Sequence, residues 1–220
     1  DLNATDITFG FNTAINTVTE AIDKLKTTSE SHNRVAVVEI MGRYAGWLTL
    51  ESGIAGAASV ILIPEIPYDL DKVCEAIKER TDNGKHYTIV AVSEGARPKD
   101  GEVVVRKVLK YSPDAIRLGG IANKLADDIE ERLGIETRAT VLGHIQRGGQ
   151  TYPYDRIIST RYGVKAIELA MQGIFGKMVA LVDGKISYVS LEEAVGQLKT
   201  VPVNHELINV ARTMGISFGD

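Results

Sequence analysis

The strongest chemical signal in this sequence is the segment Gly143–Gly149, which reads Gly-His-Ile-Gln-Arg-Gly-Gly and directly follows a short apolar run. Glycines let the backbone approach a ligand closely, and an arginine guanidinium is a fixed fork of donors that matches phosphate oxygens. His144 and Arg147 therefore suit an anionic ligand. Taken alone, the segment is also typical of a glycine turn that carries a solvated arginine.

Two other places follow apolar runs in the same way. Met41, Gly42 and Arg43 combine a glycine for access with an arginine for charge, although the same residues could simply begin a helix. Glu94 could accept hydrogen bonds from sugar hydroxyls or form an ion pair with a nearby cation. Together these places predict a binding site for a small, hydroxylated, phosphorylated molecule. No Walker-type loop, nucleophile elbow or zinc motif accompanies them, so they do not predict a catalyst.

Strands that alternate with helices would position these residues. The β-branched run from Val35 to Ile40 is typical of a strand buried on both faces of a parallel sheet. Further strands are predicted over 60–63, 87–92 and 137–142, with helices over 47–58, 70–83 and 121–133. This order predicts an α/β fold with a mostly parallel sheet, in which ligands bind beyond the carboxyl ends of the strands.

The remaining elements are less regular. Helical spacing runs from Phe11 to Leu25, and the polar stretch Thr27 to Asn33 predicts a loop after it. From Ala96 to Gly120 the pattern weakens, and we interpret this part as an excursion from the sheet. We also predict a helix over 154–172, a hairpin over 178–189 that turns at Asp183-Gly184, and a last helix over 205–214.

The composition excludes several classes of function. The 220 residues are 44% hydrophobic and carry a net charge of −4 with interspersed signs, so nothing favours nucleic-acid binding. The single cysteine, Cys74, falls at an apolar helical position and is expected to be a core thiol in a reducing compartment. No apolar run reaches the ~18 residues of a membrane span. We therefore expect a cytoplasmic protein without nucleic-acid or membrane partners.

The sequence resembles the 6-phosphofructokinase family. The resemblance is collinear over nearly the whole chain and rests on five blocks: 5–11, 41–46, 64–65, 93–95 and 136–149. It implies a phosphofructokinase-like, three-layer α/β sandwich that is incomplete at its N-terminus. It also implies a glycolytic enzyme that transfers a phosphoryl group from ATP or pyrophosphate, with Mg²⁺, to the 1-hydroxyl of fructose 6-phosphate.

The resemblance also assigns roles to residues. It implies that six of them surround fructose 6-phosphate, with Glu94 on the sugar hydroxyls and His144 with Arg147 on the phosphate: Met41, Gly42, Arg43, Glu94, His144 and Arg147. Arg34 and Arg138, which by themselves could be ordinary surface charges, resemble the arginines that family members donate across a subunit interface. A homo-oligomer, either a dimer or a tetramer, is therefore implied.

The sequence also departs from the family pattern. The family's catalytic segment reads Thr-Ile-Asp-Asn-Asp, in which the first Asp is the general base, whereas this sequence begins at the second, Asp1. The glycine-rich donor loop and the Mg²⁺-binding aspartate are missing as well, so we assign no metal ligand. We expect the sugar-phosphate-binding portion of a longer enzyme, inactive by itself. The alternative is a non-catalytic sugar-phosphate-binding or regulatory module.

The family pattern also divides the chain. Members have two α/β domains, and the chain crosses between them more than once. By analogy, residues 11–145 with 196–220 would form the sugar-phosphate-binding domain, and residues 1–10 with 146–195 would be a remnant of the phosphoryl-donor domain. The long excursion before Gly120 resembles the branch of the family that uses either ATP or pyrophosphate.

Overall fold

The computed structural model describes residues 2–108 and 116–220. The helices are α1 Phe11–His32, α2 Trp47–Ala55, α3 Leu70–Asp82, α4 Ile121–Leu133, α5 Pro153–Met171, α6 Leu191–Val195 and α7 Glu206–Thr213. The strands are β1 Val35–Ile40, β2 Val60–Leu62, β3 Thr88–Ser93, β4 Val105–Val108, β5 Ile116–Leu118, β6 Thr137–Val141, β7 Lys177–Val182 and β8 Lys185–Ser190. A 3₁₀ turn, Gly143–Arg147, follows β6.

The central sheet has four strands in the order β2-β3-β1-β6, and all of its neighbouring strands are parallel. Val35 at the start of β1 lies opposite Thr88 of β3 and Thr137 of β6, so these three strands begin at one level. Every residue of β1 and β3 is buried, as expected for central strands covered on both faces. The predicted α/β fold with a mostly parallel sheet is confirmed.

Two hydrophobic cores lie on the two faces of this sheet. Ala36, Val38 and Ile40 point to one face, and Val35 and Val37 point to the other, because side chains alternate along a strand. Helices α1, α2 and α7 cover the first face, and α3 and α4 cover the second. Each fully buried isoleucine or leucine contributes about 2 kcal/mol. The predicted three-layer arrangement is therefore confirmed, and Cys74 lies buried in the second core.

The loop predicted from Thr27 to Asn33 is wrong, because α1 continues through this polar stretch to His32. Its hydroxyls bond to the helix itself: Thr27 Oγ1 donates to the Lys24 carbonyl and Ser31 Oγ to the Thr28 carbonyl. Polar side chains that satisfy local carbonyls are compatible with a solvated helix end. The helix then ends at Asn33, whose φ of 51° is left-handed.

The predicted excursion contains a two-stranded antiparallel ribbon, β4 with β5, outside the central sheet. Residues 109–115 within it lie outside the described part of the chain. The chain returns to the sheet region through α4, whose start is held by Glu39 of β1. The Glu39 carboxylate is buried and accepts from the backbone N–H groups of Gly120 and Ala122, at 2.9 and 3.0 Å.

Residues 146–195 form a smaller assembly in which α5 packs against the β7–β8 hairpin. The hairpin turns where predicted, at Asp183 and Gly184, whose φ values of 50° and 73° match the left-handed pair of a type I′ turn. Only a small core joins helix and hairpin, with Ile158, Tyr162 and Leu181 at its centre. No helix in the described ranges is long and apolar enough to cross a membrane.

Candidate functional site

The structure brings three separated parts of the sequence to one edge of the sheet. Met41–Arg43 follows β1, Glu94 follows β3, and the 3₁₀ turn with His144 and Arg147 follows β6. β1 lies between β3 and β6, so the carboxyl ends of the three strands are adjacent. The six residues predicted to surround a sugar phosphate are therefore neighbours in space. Arg43 and Glu94 are half-buried, whereas His144 and Arg147 are exposed.

Backbone hydrogen bonds continue past the strands β1 and β3 into the site. The Glu94 N–H donates to the Ile40 carbonyl at 2.9 Å, and the Gly95 N–H donates to the Gly42 carbonyl at 3.0 Å. A Cβ at Gly95 would overlap the Arg43 carbonyl oxygen and approach the Arg43 carbonyl carbon to 2.7 Å. Only glycine allows this close approach, so Gly95 sets the path of the segment that carries Arg43.

The carboxyl group of Glu94 lies in a mixed electrostatic environment. Burial raises its pKa, and the negative charge of Glu39 acts in the same direction. A hydrogen bond from the Gly42 backbone and the positive charges of Arg43 and Arg147 oppose that rise. The Glu94 carboxyl group therefore lies within electrostatic range of one arginine from the segment after β1 and one from the turn after β6, as expected for a carboxylate within one shared site.

The two arginines of the site have different surroundings. The Arg43 guanidinium lies 4.8 Å from the centre of the Tyr44 ring, in a cation–π contact. Arg147 borders a depression of about 320 Å³ between the start of α1 and the loop Gly148–Thr151. This depression is lined by neither Arg43 nor Glu94, so it adjoins the six-residue site without containing it.

Gln146 is a residue of the site that the sequence reasoning did not single out. Its side chain is 2% exposed and connects two of the three segments. The Met41 N–H donates to Gln146 Oε1 at 3.1 Å, and Gln146 Nε2 donates to the Gly143 carbonyl at 2.9 Å. The only sequence signal was its place inside the Gly143–Gly149 motif.

Thr13 and Asp155 form a second link that the sequence did not reveal. The Asp155 carboxylate is fully buried and accepts from the backbone N–H and the hydroxyl of Thr13, at 2.7 and 2.6 Å. Thr13 Oγ1 also accepts from the Tyr152 N–H at 2.9 Å. Because Gly10 offers α1 no side-chain cap, this carboxylate from α5 caps the helix instead and ties the loop before α5 to it.

Arg34 and Arg138 lie at the opposite end of the sheet. Both contact Glu136, at 3.4 Å from Arg34 and 2.8 Å from Arg138. Hydrogen bonding to Arg138 and the charge of Arg34 lower the pKa of Glu136. The seven residue steps from Arg34 to Met41 span roughly 23 Å of extended strand, which is beyond the reach of an arginine side chain. The structure does not bring these two arginines to the site of their own chain.

Two further predictions concern catalysis and metal binding. Asp1, which the resemblance places in the family's catalytic segment, is the one residue to which we assigned a catalytic role, and it lies outside the described residues. Among residues 2–108 and 116–220, no three histidine, cysteine, aspartate or glutamate side chains come together as metal ligands.

Comparisons with known proteins agree on one family. The family model described as Phosphofructokinase matches residues 1–170. The chain is 61% identical over 221 residues to the ATP-dependent 6-phosphofructokinase 2 of Clostridium perfringens, covering 100% of this chain and 60% of that relative. It is 52% identical over 206 residues to the pyrophosphate–fructose 6-phosphate 1-phosphotransferase of Amycolatopsis mediterranei, covering 92% of this chain and 59% of the relative.

A solved structure shares the fold. The pyrophosphate-dependent phosphofructokinase of Nitrosospira multiformis superposes with a TM-score of 0.78 at 25% identity, covering 100% of this chain and 58% of that one. The chain spans about 60% of the length of the curated relatives that it matches. Relatives named for ATP and for pyrophosphate are both similar to it.

Proposed function

Since the chain belongs to the phosphofructokinase family, we propose that it forms the fructose 6-phosphate-binding portion of a 6-phosphofructokinase. The enzyme would transfer a phosphoryl group from ATP or pyrophosphate to the 1-hydroxyl of the sugar. One observation carries the proposal: the candidate residues after β1, β3 and β6 meet at one edge of the sheet, although up to about a hundred positions separate them in sequence.

In this proposal each part of the site recognises a different part of the ligand. Arg147 and His144, which are exposed on the 3₁₀ turn, hold the phosphate through charge-assisted hydrogen bonds. Glu94 accepts hydrogen bonds from sugar hydroxyls, and the segment Met41–Arg43 lies against the sugar. The charges of Arg43 and Arg147 favour the ionised form of Glu94, which accepts hydrogen bonds most strongly.

We further propose that Arg34 and Arg138 act in the site of a neighbouring subunit. Their distance from the site of their own chain supports this, as does their shared contact with Glu136, which groups both charges on one surface. A homo-oligomer, a dimer or a tetramer, would place this surface beside the neighbour's phosphate site.

The packing supports the proposed division into two domains. Ile208 and Phe218, from the end of the chain, pack into the core that covers the central sheet, which supports grouping 196–220 with 11–145. Ile7 packs instead against the small core of α5 and the hairpin, which supports grouping 1–10 with 146–195. The donor would bind beside the second group, and the relatives leave both ATP and pyrophosphate as proposals.

Calorimetric titration of the chain with fructose 6-phosphate, with fructose as the unphosphorylated control, tests the binding role. We expect the phosphorylated sugar alone to bind. Arg147→Ala should weaken binding about thirtyfold or more, because truncating one partner of a charge pair costs about 2 kcal/mol or more. Arg161→Ala, which removes an exposed arginine of α5, is the matched control. Unchanged affinity in a folded Arg147→Ala chain would remove Arg147 from the site.

Mixing two variants tests the action of Arg138 across subunits. Arg138→Ala and Arg147→Ala chains each lose one half of every site, but a mixed oligomer contains one site in which both arginines are intact. We expect the mixture to recover part of the binding that each variant lacks. Failure to recover in an oligomer verified as mixed would place both arginines in the same chain's site.

A further inference from the structure

The strands β1 and β6 stop pairing just before the candidate site. Their parallel register ends at Glu39 opposite Val141, and the Leu142 N–H donates to the Glu39 carbonyl at 3.2 Å. The chain after β6 then leaves the sheet and winds into the 3₁₀ turn. Met41, two residues beyond Glu39, therefore needs another partner for its backbone N–H.

The side chain of Gln146 supplies that partner. Its Oε1 accepts from the Met41 N–H, and its Nε2 donates to the Gly143 carbonyl at the start of its own turn. The partners fix which end of the amide is which, because Met41 offers a donor and Gly143 an acceptor. Gln146 itself is shielded from water, with 2% of the residue exposed, and its partners Met41 and Gly143 are half-buried.

We propose that Gln146 is a positioning residue, which holds the segment Met41–Arg43 at a fixed place relative to the turn that carries His144 and Arg147. The inference rests on the proposed function, because it concerns the same sugar-phosphate site. Its bonds reach the backbones of both candidate binding segments rather than the two cores. A single amide group thus replaces the sheet's hydrogen bonding at the point where the two strands separate.

The chemistry of glutamine suits this position. The link needs an acceptor and a donor on two neighbouring atoms at the end of one long side chain, and the glutamine amide offers both without a charge. Methionine has a similar length and volume but lacks the amide, so Gln146→Met removes both bonds with little change in packing. Glutamate keeps an acceptor for Met41 but turns a second oxygen towards the Gly143 carbonyl.

The test measures backbone exchange and sugar-phosphate binding in the same folded chains. We expect Gln146→Met to speed hydrogen exchange of the Met41 amide at least tenfold. It should also raise the Kd for fructose 6-phosphate at least tenfold, since losing a shielded hydrogen bond has effects of that size. Gln146→Glu should leave the Met41 amide protected and weaken binding less. Gln197→Met, at an exposed glutamine, should change neither quantity.

The two readouts separate the possible failures. Met41 exchange within twofold of the wild-type rate in a folded Gln146→Met chain would overturn the positioning role, whatever happens to affinity. Faster exchange with unchanged affinity would also overturn it, because the link would then be structural only.

If the wild-type chain does not bind fructose 6-phosphate, the proposed function fails, and the positioning role in that site falls with it, even where exchange shows that the link exists. If Gln146→Met does not fold, the intermediate affinity and protected amide expected of Gln146→Glu decide the matter.

Discussion

Two regions of the molecule bury their apolar side chains in different ways. The sheet region, residues 11–145 with 196–220, encloses β1 and β3 completely between two cores. The α5 region, residues 146–195, has one small core and leaves Ile157, Ile167 and Met171 exposed by 62%, 63% and 83%. An isolated two-stranded hairpin is marginal in water, so this region depends on what attaches it to the rest.

Polar contacts provide much of that attachment. Residues 1–10 are one part of it: the Leu181 N–H in β7 donates to Thr5 Oγ1 at 3.1 Å and the Tyr162 hydroxyl to the Ile7 carbonyl at 2.8 Å, while Lys199 of the sheet region donates to the Thr5 and Asp6 carbonyls. The Asp155 carboxylate accepts from Thr13 in α1. The sheet region therefore derives its stability from burial, whereas the α5 region is held in place by a few directional bonds, which single substitutions can remove.

The largest contrast should come from truncating one apolar side chain in each region. Leu125→Ala removes a fully buried side chain of the second core and should lower the free energy of unfolding by about 3 kcal/mol, because a cavity remains. Ile167→Ala, on the exposed face of α5, should change it by less than about 0.5 kcal/mol. Denaturant titration measures both.

Equal losses for the two alanine variants would break the comparison. A large loss at Ile167 would mean that the exposed face of α5 is covered in solution, for example by a second copy of the chain. Repeating the titration over a range of protein concentrations distinguishes that case, since stability from association depends on concentration.

A pair of glycine substitutions should give opposite signs in the two regions. Gly95→Ala places a methyl group against the Arg43 carbonyl and should cost about 3 kcal/mol, together with most of the sugar-phosphate affinity. Gly163→Ala, in α5, meets nothing within 4 Å and should stabilise the chain by about 0.5 kcal/mol or more. Thermal unfolding of both variants checks the signs, and a neutral Gly95→Ala would contradict the close approach.

The sequence predicted the sheet region well because its signals are local. A β-branched run such as Val35–Ile40 and a capped helix such as Ile121–Leu133 carry their own periodicity. The end of α1 was missed because threonine and serine, as at Thr27 and Ser31, are typical of loops. The sequence does not show that their hydroxyls donate to helix carbonyls instead. The helix α5 was predicted too, but it is apolar on both sides, so its sequence did not tell which face is buried.

The candidate site likewise contains residues that the sequence indicates and residues that only the structure reveals. Arg43, Glu94 and Arg147 were singled out because they follow strands, and the expectation that ligands bind beyond the strand ends came from the fold class. Gln146 and Asp155 were not found, because their roles lie in hydrogen bonds to backbone groups of segments distant in sequence. Such partners have no spacing rule, and only the three-dimensional structure pairs them.

The link between Thr13 and Asp155 offers a test of how the α5 region is attached. Asp155→Ala should cost about 2 kcal/mol, because α1 loses its cap and the half-buried Thr13 donors lose their acceptor. Thr13→Val should cost less. In a double-mutant cycle the two losses should not add, since each variant breaks the same contact. Additive losses would show that the two residues stabilise the chain independently.

The Glu94 carboxyl group lies within electrostatic range of charges from both regions, and the change in its pKa should be the smallest of the predicted effects. Burial in the sheet region raises its pKa, and the charge of Arg147, from the α5 region, opposes that rise. Arg147→Ala should therefore raise the pKa of Glu94 further, whereas Arg161→Ala should leave it unchanged. A titration of the Glu94 carboxyl carbon by NMR measures the pKa in each chain.

The same pKa has a consequence for stability. A carboxyl group whose pKa is raised in the folded state stabilises the fold fully only below its unfolded pKa of about 4.3, and that contribution is lost as pH rises through the folded pKa. Glu94→Gln cannot ionise, so its unfolding free energy should lack this decline above pH 4. A decline of equal size in Glu94→Gln would assign the pH dependence to other groups. A pKa unmoved by Arg147→Ala would mean that the α5 region does not reach Glu94 in solution, and that the two arginines do not share one site.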